Sequence, residues 1–152
     1  SSATASLIVS VLALFNTGGR IVGGIISDKM GQVNTLILLL LSSIVGLFLL
    51  VITKEQSLVT FLLGVCIIGL CFGGFMGIYP GFTNERFGAK YSSVNYGIMF
   101  IGFAVSGFAA PMMIGKIYTS THSYVPAYYV AMALSFMGIV LAFLYKKVEK
   151  QS

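Results

Sequence analysis

Apolar residues run through this chain in five long blocks separated by brief polar clusters. The blocks cover about 3–27, 35–52, 58–82, 95–117 and 125–145. Each is long enough for a helix to cross the hydrocarbon core of a bilayer. The connections, 28–34, 53–57, 83–94 and 118–124, leave no room for a water-soluble domain. The pattern predicts an all-α, multi-pass transmembrane helical protein of five spans, with residues 1–152 forming part of one transmembrane domain. Within the blocks, Gly19 and Gly23 stand four apart, and Gly69, Gly73 and Gly77 repeat that spacing on the third. Small residues so spaced make a flat stripe along which helix backbones approach closely, so the third span is expected in a crowded interior position. Pro80 and Pro111 fall near or inside spans, where each is expected to bend or end its helix.

Composition fixes what surrounds those helices. Hydrophobic residues make up 57% and charged residues 9% of the chain, against roughly a quarter charged in ordinary proteins. Lipid must cover such a surface, so the bilayer is a partner. The net charge of +5 then reports topology and gives no reason to expect a nucleic-acid partner. Alternate crossings place Lys29, Arg86, Lys90, Lys146, Lys147 and Lys150 on one side and Lys54 and Lys116 on the other. Basic loops stay in the cytoplasm, which predicts an integral membrane protein that enters from outside and ends inside, in a plasma (inner) membrane. No basic leader precedes the first block and the chain does not begin with Met, so it reads as a piece of a longer protein. Cys66 and Cys71, inside an apolar run without other soft ligands, are expected to be inert buried thiols. With no metal-ligand cluster, nucleophile–base pair or phosphate-cradling loop, neither an enzyme nor a cofactor or metal site is indicated.

Two charges do not fit a bland membrane helix. Arg20 lies eight residues inside the first block, roughly 12 Å deep at helical rise, where a charge is costly enough to mark a function or a pairing. Asp28 sits where that helix is expected to end, beside carbonyls of partial negative charge. A carboxylate there calls for a cation or another helix's N-terminus, and Lys29 points away from it by about a hundred degrees.

The segment Gly24-Ile25-Ile26-Ser27-Asp28-Lys29-Met30-Gly31 resembles the signature loop of the major facilitator superfamily, G-x-x-x-D-R/K-x-G-R/K-R/K. The likeness departs at Gln32 and Val33, where basic residues are usual. That weakening is typical of the second copy of the loop, which would make these helices eight to twelve of twelve; parity also fits helices two to six. Tyr79-Pro80-Gly81-Phe82-Thr83, Arg86-Phe87-Gly88 and Asn95-Tyr96-Gly97-Ile98-Met99-Phe100, with Gly107, Pro111 and Gly115, are similar to the oxalate/formate antiporter branch and its monocarboxylate-carrying relatives. The resemblance implies a secondary transporter working by alternating access, with Arg20 binding a substrate carboxylate. It further implies that Gly24, Asp28, Lys29 and Gly31 form a conformational latch, and that a missing N-terminal half is the partner. Where the oxalate carriers bring a second cation, this chain has Phe103.

Depth alone also suggests a pocket. Phe72, Phe75 and Met76 on the third span and Phe100 and Phe103 on the fourth come to the level of Arg20. They are candidates to wall a cavity with the guanidinium as its charged anchor, and Asn16, one turn earlier, is a weaker polar candidate. The plain alternatives are packing or lipid-facing aromatics, an arginine paired structurally or snorkelling to headgroups, and an asparagine bonded to a neighbouring helix. One cation suits a small monoanion better than a dianion, whose second charge would stay unpaired at low dielectric. The expected cargo is therefore a small organic anion such as formate, pyruvate or lactate, moved by proton symport or anion exchange. His122, between Thr121 and Ser123, reads as a solvated residue of the outer loop. Competing readings are a carrier of the same fold for oxalate, a drug or a sugar, or a non-transporting helical subunit.

Overall fold

The computed structural model describes residues 2–53 and 57–149, with side chains from Ser6 onward. The five predicted spans are five helices: α1 (Ser2–Met30), α2 (Gln32–Ile52), α3 (Leu58–Phe87), α4 (Ser92–Thr121) and α5 (Val125–Glu149). A 3-10 turn, Ala89–Tyr91, precedes α4. All five are long and apolar enough to cross a membrane. Lys54 and Lys150, used above for orientation, lie outside the described residues.

The helices outrun the apolar blocks. Hydropathy marks only where lipid begins, whereas backbone hydrogen bonding continues into the polar turns, so the expected connections shrink. The 28–34 connection reduces to Gly31 alone, and 83–94 to Gly88 and the short 3-10 turn. Pro80 and Pro111 are both internal to continuous helices. Proline removes a single backbone bond, and the turns on either side persist; beside Pro80, Thr83 donates its hydroxyl to the Tyr79 carbonyl at 2.8 Å.

Packing is organised around α3, which buries Gly64, Gly69, Cys71, Gly73, Gly74, Ile78 and Thr83. Its glycine stripe lies along α1, the two helices running parallel: Leu12, Asn16 and Arg20 meet Gly69, Gly73 and Gly77 in turn. A Cβ on Gly77 would stand 2.6 Å from the Arg20 carbonyl oxygen, and one on Gly23 would stand 2.7 Å from the Gly74 Cα. On Gly19 and Gly73 a Cβ would overlap the carbonyl oxygens of Leu70 and Asn16 outright. This is close backbone approach without large side chains, as expected of membrane helices. On its other side α3 meets α2 through Leu39, Cys71 and Ile78, and α2 meets α5 through Val33, Ile37, Ile139 and Ala142. Cys71 is buried and Cys66 half-buried, both as free thiols. Helix α4 borders α3 and has no buried residue.

Candidate functional site

Arg20 sits where α1 touches α3, its main chain against Gly77. The side chain is exposed, and among the described residues it has no hydrogen bond or ion pair. Asn16, one turn earlier, is half-buried, with its carbonyl oxygen against Gly73. The absence of large side chains at Gly73 and Gly77 is what brings this face of α1 up to α3.

Between α3 and α4 lies a cavity of about 330 Å³ lined by Met76, Tyr79, Met99, Phe100, Gly102, Phe103 and Ser106. Aromatic rings form a chain along its wall. Tyr96 meets Phe100 with centroids 5.1 Å apart, Phe100 meets Phe103 at 5.1 Å, and Phe103 meets Phe72 at 6.1 Å. Of the predicted set, Met76, Phe100 and Phe103 therefore share one cavity and Phe72 adjoins it. Arg20 is not among the lining residues; its backbone packs against Gly77, the residue after Met76. Phe75 lies elsewhere. It packs on the Leu39, Cys71 and Ile78 cluster and borders a second crevice toward α5, because one position along a helix turns a side chain by about 100°. Tyr79, Met99 and Ser106 escaped the reading by depth. Helical spacing carries the signal: 72, 76 and 79 share one face of α3, and 99, 103 and 106 share one face of α4. The Ser106 hydroxyl donates to the Phe103 carbonyl at 2.8 Å.

At the end where α1 meets α2, Gly31 has φ 82° and ψ 154°, a region open essentially to glycine alone. Its N–H donates to the Ser27 carbonyl at 2.9 Å, closing α1. Gly24 is half-buried in open space, and Asp28 and Lys29 are exposed. Among the described residues neither charge is paired. Asn34 then joins three elements. Its amide donates to the Met30 carbonyl at 2.7 Å, and its side-chain oxygen accepts from Lys146 Nζ of α5 at 2.7 Å. Arg86 of α3 pairs with Glu149 of α5 at 2.5 Å, its guanidinium 5.3 Å from the Tyr145 ring centroid and 5.9 Å from that of Phe82. These groups surround a crevice of about 230 Å³ that also includes Gln32 and Glu85. The sequence marked Lys146 as a topological charge and Arg86 as both a topological charge and part of the Arg86-Phe87-Gly88 motif, and gave no sign of either pairing. At the C-terminal end of α4, His122 caps the helix in the left-handed region at φ 52°, its N–H donating to the Tyr118 carbonyl at 2.8 Å.

The Major Facilitator Superfamily profile matches residues 1–152 of the chain. Among curated proteins, the chain is similar to the uncharacterized MFS-type transporter YhjX of Escherichia coli, 31% identical over 97 residues, covering 64% of this chain and 24% of that one. It is also similar to the oxalate:formate antiporter of Oxalobacter formigenes, 27% identical over 134 residues, 88% of this chain and 32% of the relative. The riboflavin transporter RibJ of Trypanosoma cruzi is 31% identical over 106 residues, 68% and 22% of the two chains. The chain thus spans between about a fifth and a third of the length of these relatives. No solved structure shows significant similarity to it.

Proposed function

The chain belongs to the major facilitator superfamily, and on that premise we propose that it forms helices eight to twelve of a carrier for a small monocarboxylate of the formate, pyruvate or lactate type. One observation carries this reading: Arg20, a cation at mid-span depth with no partner among the described residues, rests its backbone on Gly77, the residue after Met76 of the cavity wall, and leaves its side chain exposed. Arginine offers two parallel hydrogen bonds to a carboxylate in a geometry lysine cannot reproduce. The cavity lining carries no charged residue, so Arg20 is the single cation this reading offers a substrate and a second carboxylate would stay unpaired. Similarity to an oxalate:formate antiporter supports a carboxylate cargo, while Phe103 in place of a cation favours the monoanion.

Transport proceeds by alternating access, the two halves of the carrier rocking about a midplane site, by exchange or proton symport. Asp28 latches the cytoplasmic side through a partner supplied by the other half, and binding at Arg20 offsets the cost of releasing it. The C-terminus of α5 is cytoplasmic and the carrier resides in a plasma membrane. The test is proteoliposome uptake of labelled formate, pyruvate, lactate and oxalate by the full-length carrier. Monocarboxylates are expected to move ahead of oxalate, with Arg20→Ala lowering uptake at least about a hundredfold, as loss of a charge-assisted pair predicts. Arg20→Lys is expected to retain a small fraction. Unchanged uptake in Arg20→Ala would refute the site, and transport of a neutral cargo alone would refute the substrate class.

A further inference from the structure

Resting on the proposed latch at Asp28, we infer that Asn34 and Lys146 are its positioning residues, relaying the C-terminal end of α5 to the turn that carries the carboxylate. Among the described residues α1 and α5 do not pack on each other, and the Asn34 side chain bridges them. Its amide donates to the Met30 carbonyl at 2.7 Å, and its oxygen accepts from Lys146 Nζ at 2.7 Å. The amide can stand only this way round, because an ammonium only donates and a carbonyl only accepts.

The bond falls at the joint between two helices. Gly31 alone separates α1 from α2, and the peptide that Asn34 holds is the one joining Met30 to it. The Gly31 carbonyl is already fixed from α2, by the Thr35 N–H at 3.1 Å and the Thr35 hydroxyl at 2.8 Å. Holding the Met30 carbonyl as well sets the angle at which α1 ends, and with it the direction of Asp28, two residues back. The support behind the relay is firm. Val33 and Ile37 pack on Ile139 and Ala142, one residue before Asn34 and one turn before Lys146. Two carboxylates, Glu85 and Glu149, line the same crevice, yet Glu149 pairs with Arg86, and among the described residues Lys146 pairs with neither. Its ammonium is spent on a neutral amide, which orients that amide where an ion pair would not.

The test is uptake of labelled pyruvate by the full-length carrier in proteoliposomes. Lys146→Met is expected to lower the maximal rate about tenfold, the worth of a hydrogen bond to a charged group. The half-saturating concentration should stay within about twofold, since Arg20 is untouched. Lys146→Arg, which still donates, should recover most of the rate. Lys147→Met, the same charge change at an exposed neighbour, should match wild type. Asn34→Asp separates a relay from a tether: it makes the tie to Lys146 an ion pair and removes the donor to Met30. The rate should therefore fall although the thermal midpoint does not. In an Asp28→Asn carrier, itself slowed, Lys146→Met should add no further loss, because residues acting through one another are not additive. Multiplying losses in that double variant, or wild-type uptake by Asn34→Asp, would overturn the relay and leave the Asp28 latch standing. Wild-type uptake by Asp28→Asn, or a carrier that moves no anion, would overturn the latch and this inference together.

Discussion

At the scale of single residues, Arg20 and Asp28 present one problem in two signs. Each is a charge in a setting that disfavours it: Arg20 lies at mid-span depth, and Asp28 is in the last turn of α1 beside partially negative carbonyls. Neither is paired among the described residues; on the proposed function the substrate partners Arg20 and the rest of the carrier partners Asp28. Gly31 is a different case, because its demand is met within the chain. At φ 82° and ψ 154°, an added Cβ strains the backbone by about 1–3 kcal/mol. Gly31→Ala is therefore expected to lower the thermal midpoint of the purified carrier, while Lys29→Ala, on an exposed residue, leaves it unchanged. Equal midpoints for wild type and Gly31→Ala would contradict the assigned turn. The glycine was legible in the sequence as part of a turn motif, whereas its backbone conformation became visible only with both flanking helices in place.

At the scale of helices, the contact between α1 and α3 rests on missing side chains. Gly73→Ala pushes a methyl group into the Asn16 carbonyl and Gly19→Ala pushes one into that of Leu70, both backbone atoms that cannot swing aside. Overpacking of this kind costs about 1–3 kcal/mol. Gly18→Ala, with open space beside it, is the matched control, and unfolding in mild detergent should separate Gly19→Ala from it. Equal stability of those two variants would contradict the packing. The Arg86–Glu149 pair calls for a smaller effect, because its side chains are 27% and 39% exposed. Such pairs are worth about 0–1 kcal/mol. Glu149→Arg should destabilise modestly, and the charge swap Arg86→Glu with Glu149→Arg should restore most of the loss; no recovery on swapping would deny a direct pairing. Helix existence and the glycine stripes could be read from local spacing. The Asn34–Lys146 bond joins residues 112 apart in sequence, and the displacement of Phe75 depends on which helix α3 meets at that angle. Neither leaves a local signature.

At the scale of the molecule, α3 is enclosed while α4 presents a largely uncovered surface with no buried residue. The relatives are about three times as long as this chain, and on the proposed function spans outside residues 1–152 complete the far wall of the Met76–Phe103 cavity. On the proposed function, residues 1–152 alone should insert into membranes yet catalyse no uptake, because the second half of the rocking pair is absent. Uptake by this segment alone, measured in proteoliposomes beside the full-length carrier, would contradict that arrangement. The most direct test of the central claim is equilibrium binding of labelled lactate to purified full-length carrier, where neither coupling nor conformational cycling enters. Arg20→Ala is predicted to weaken the lactate Kd about a hundredfold, the loss of a charge-assisted bidentate pair, with Arg20→Lys in between. Identical affinities in all three proteins would show that the guanidinium does not hold the anion.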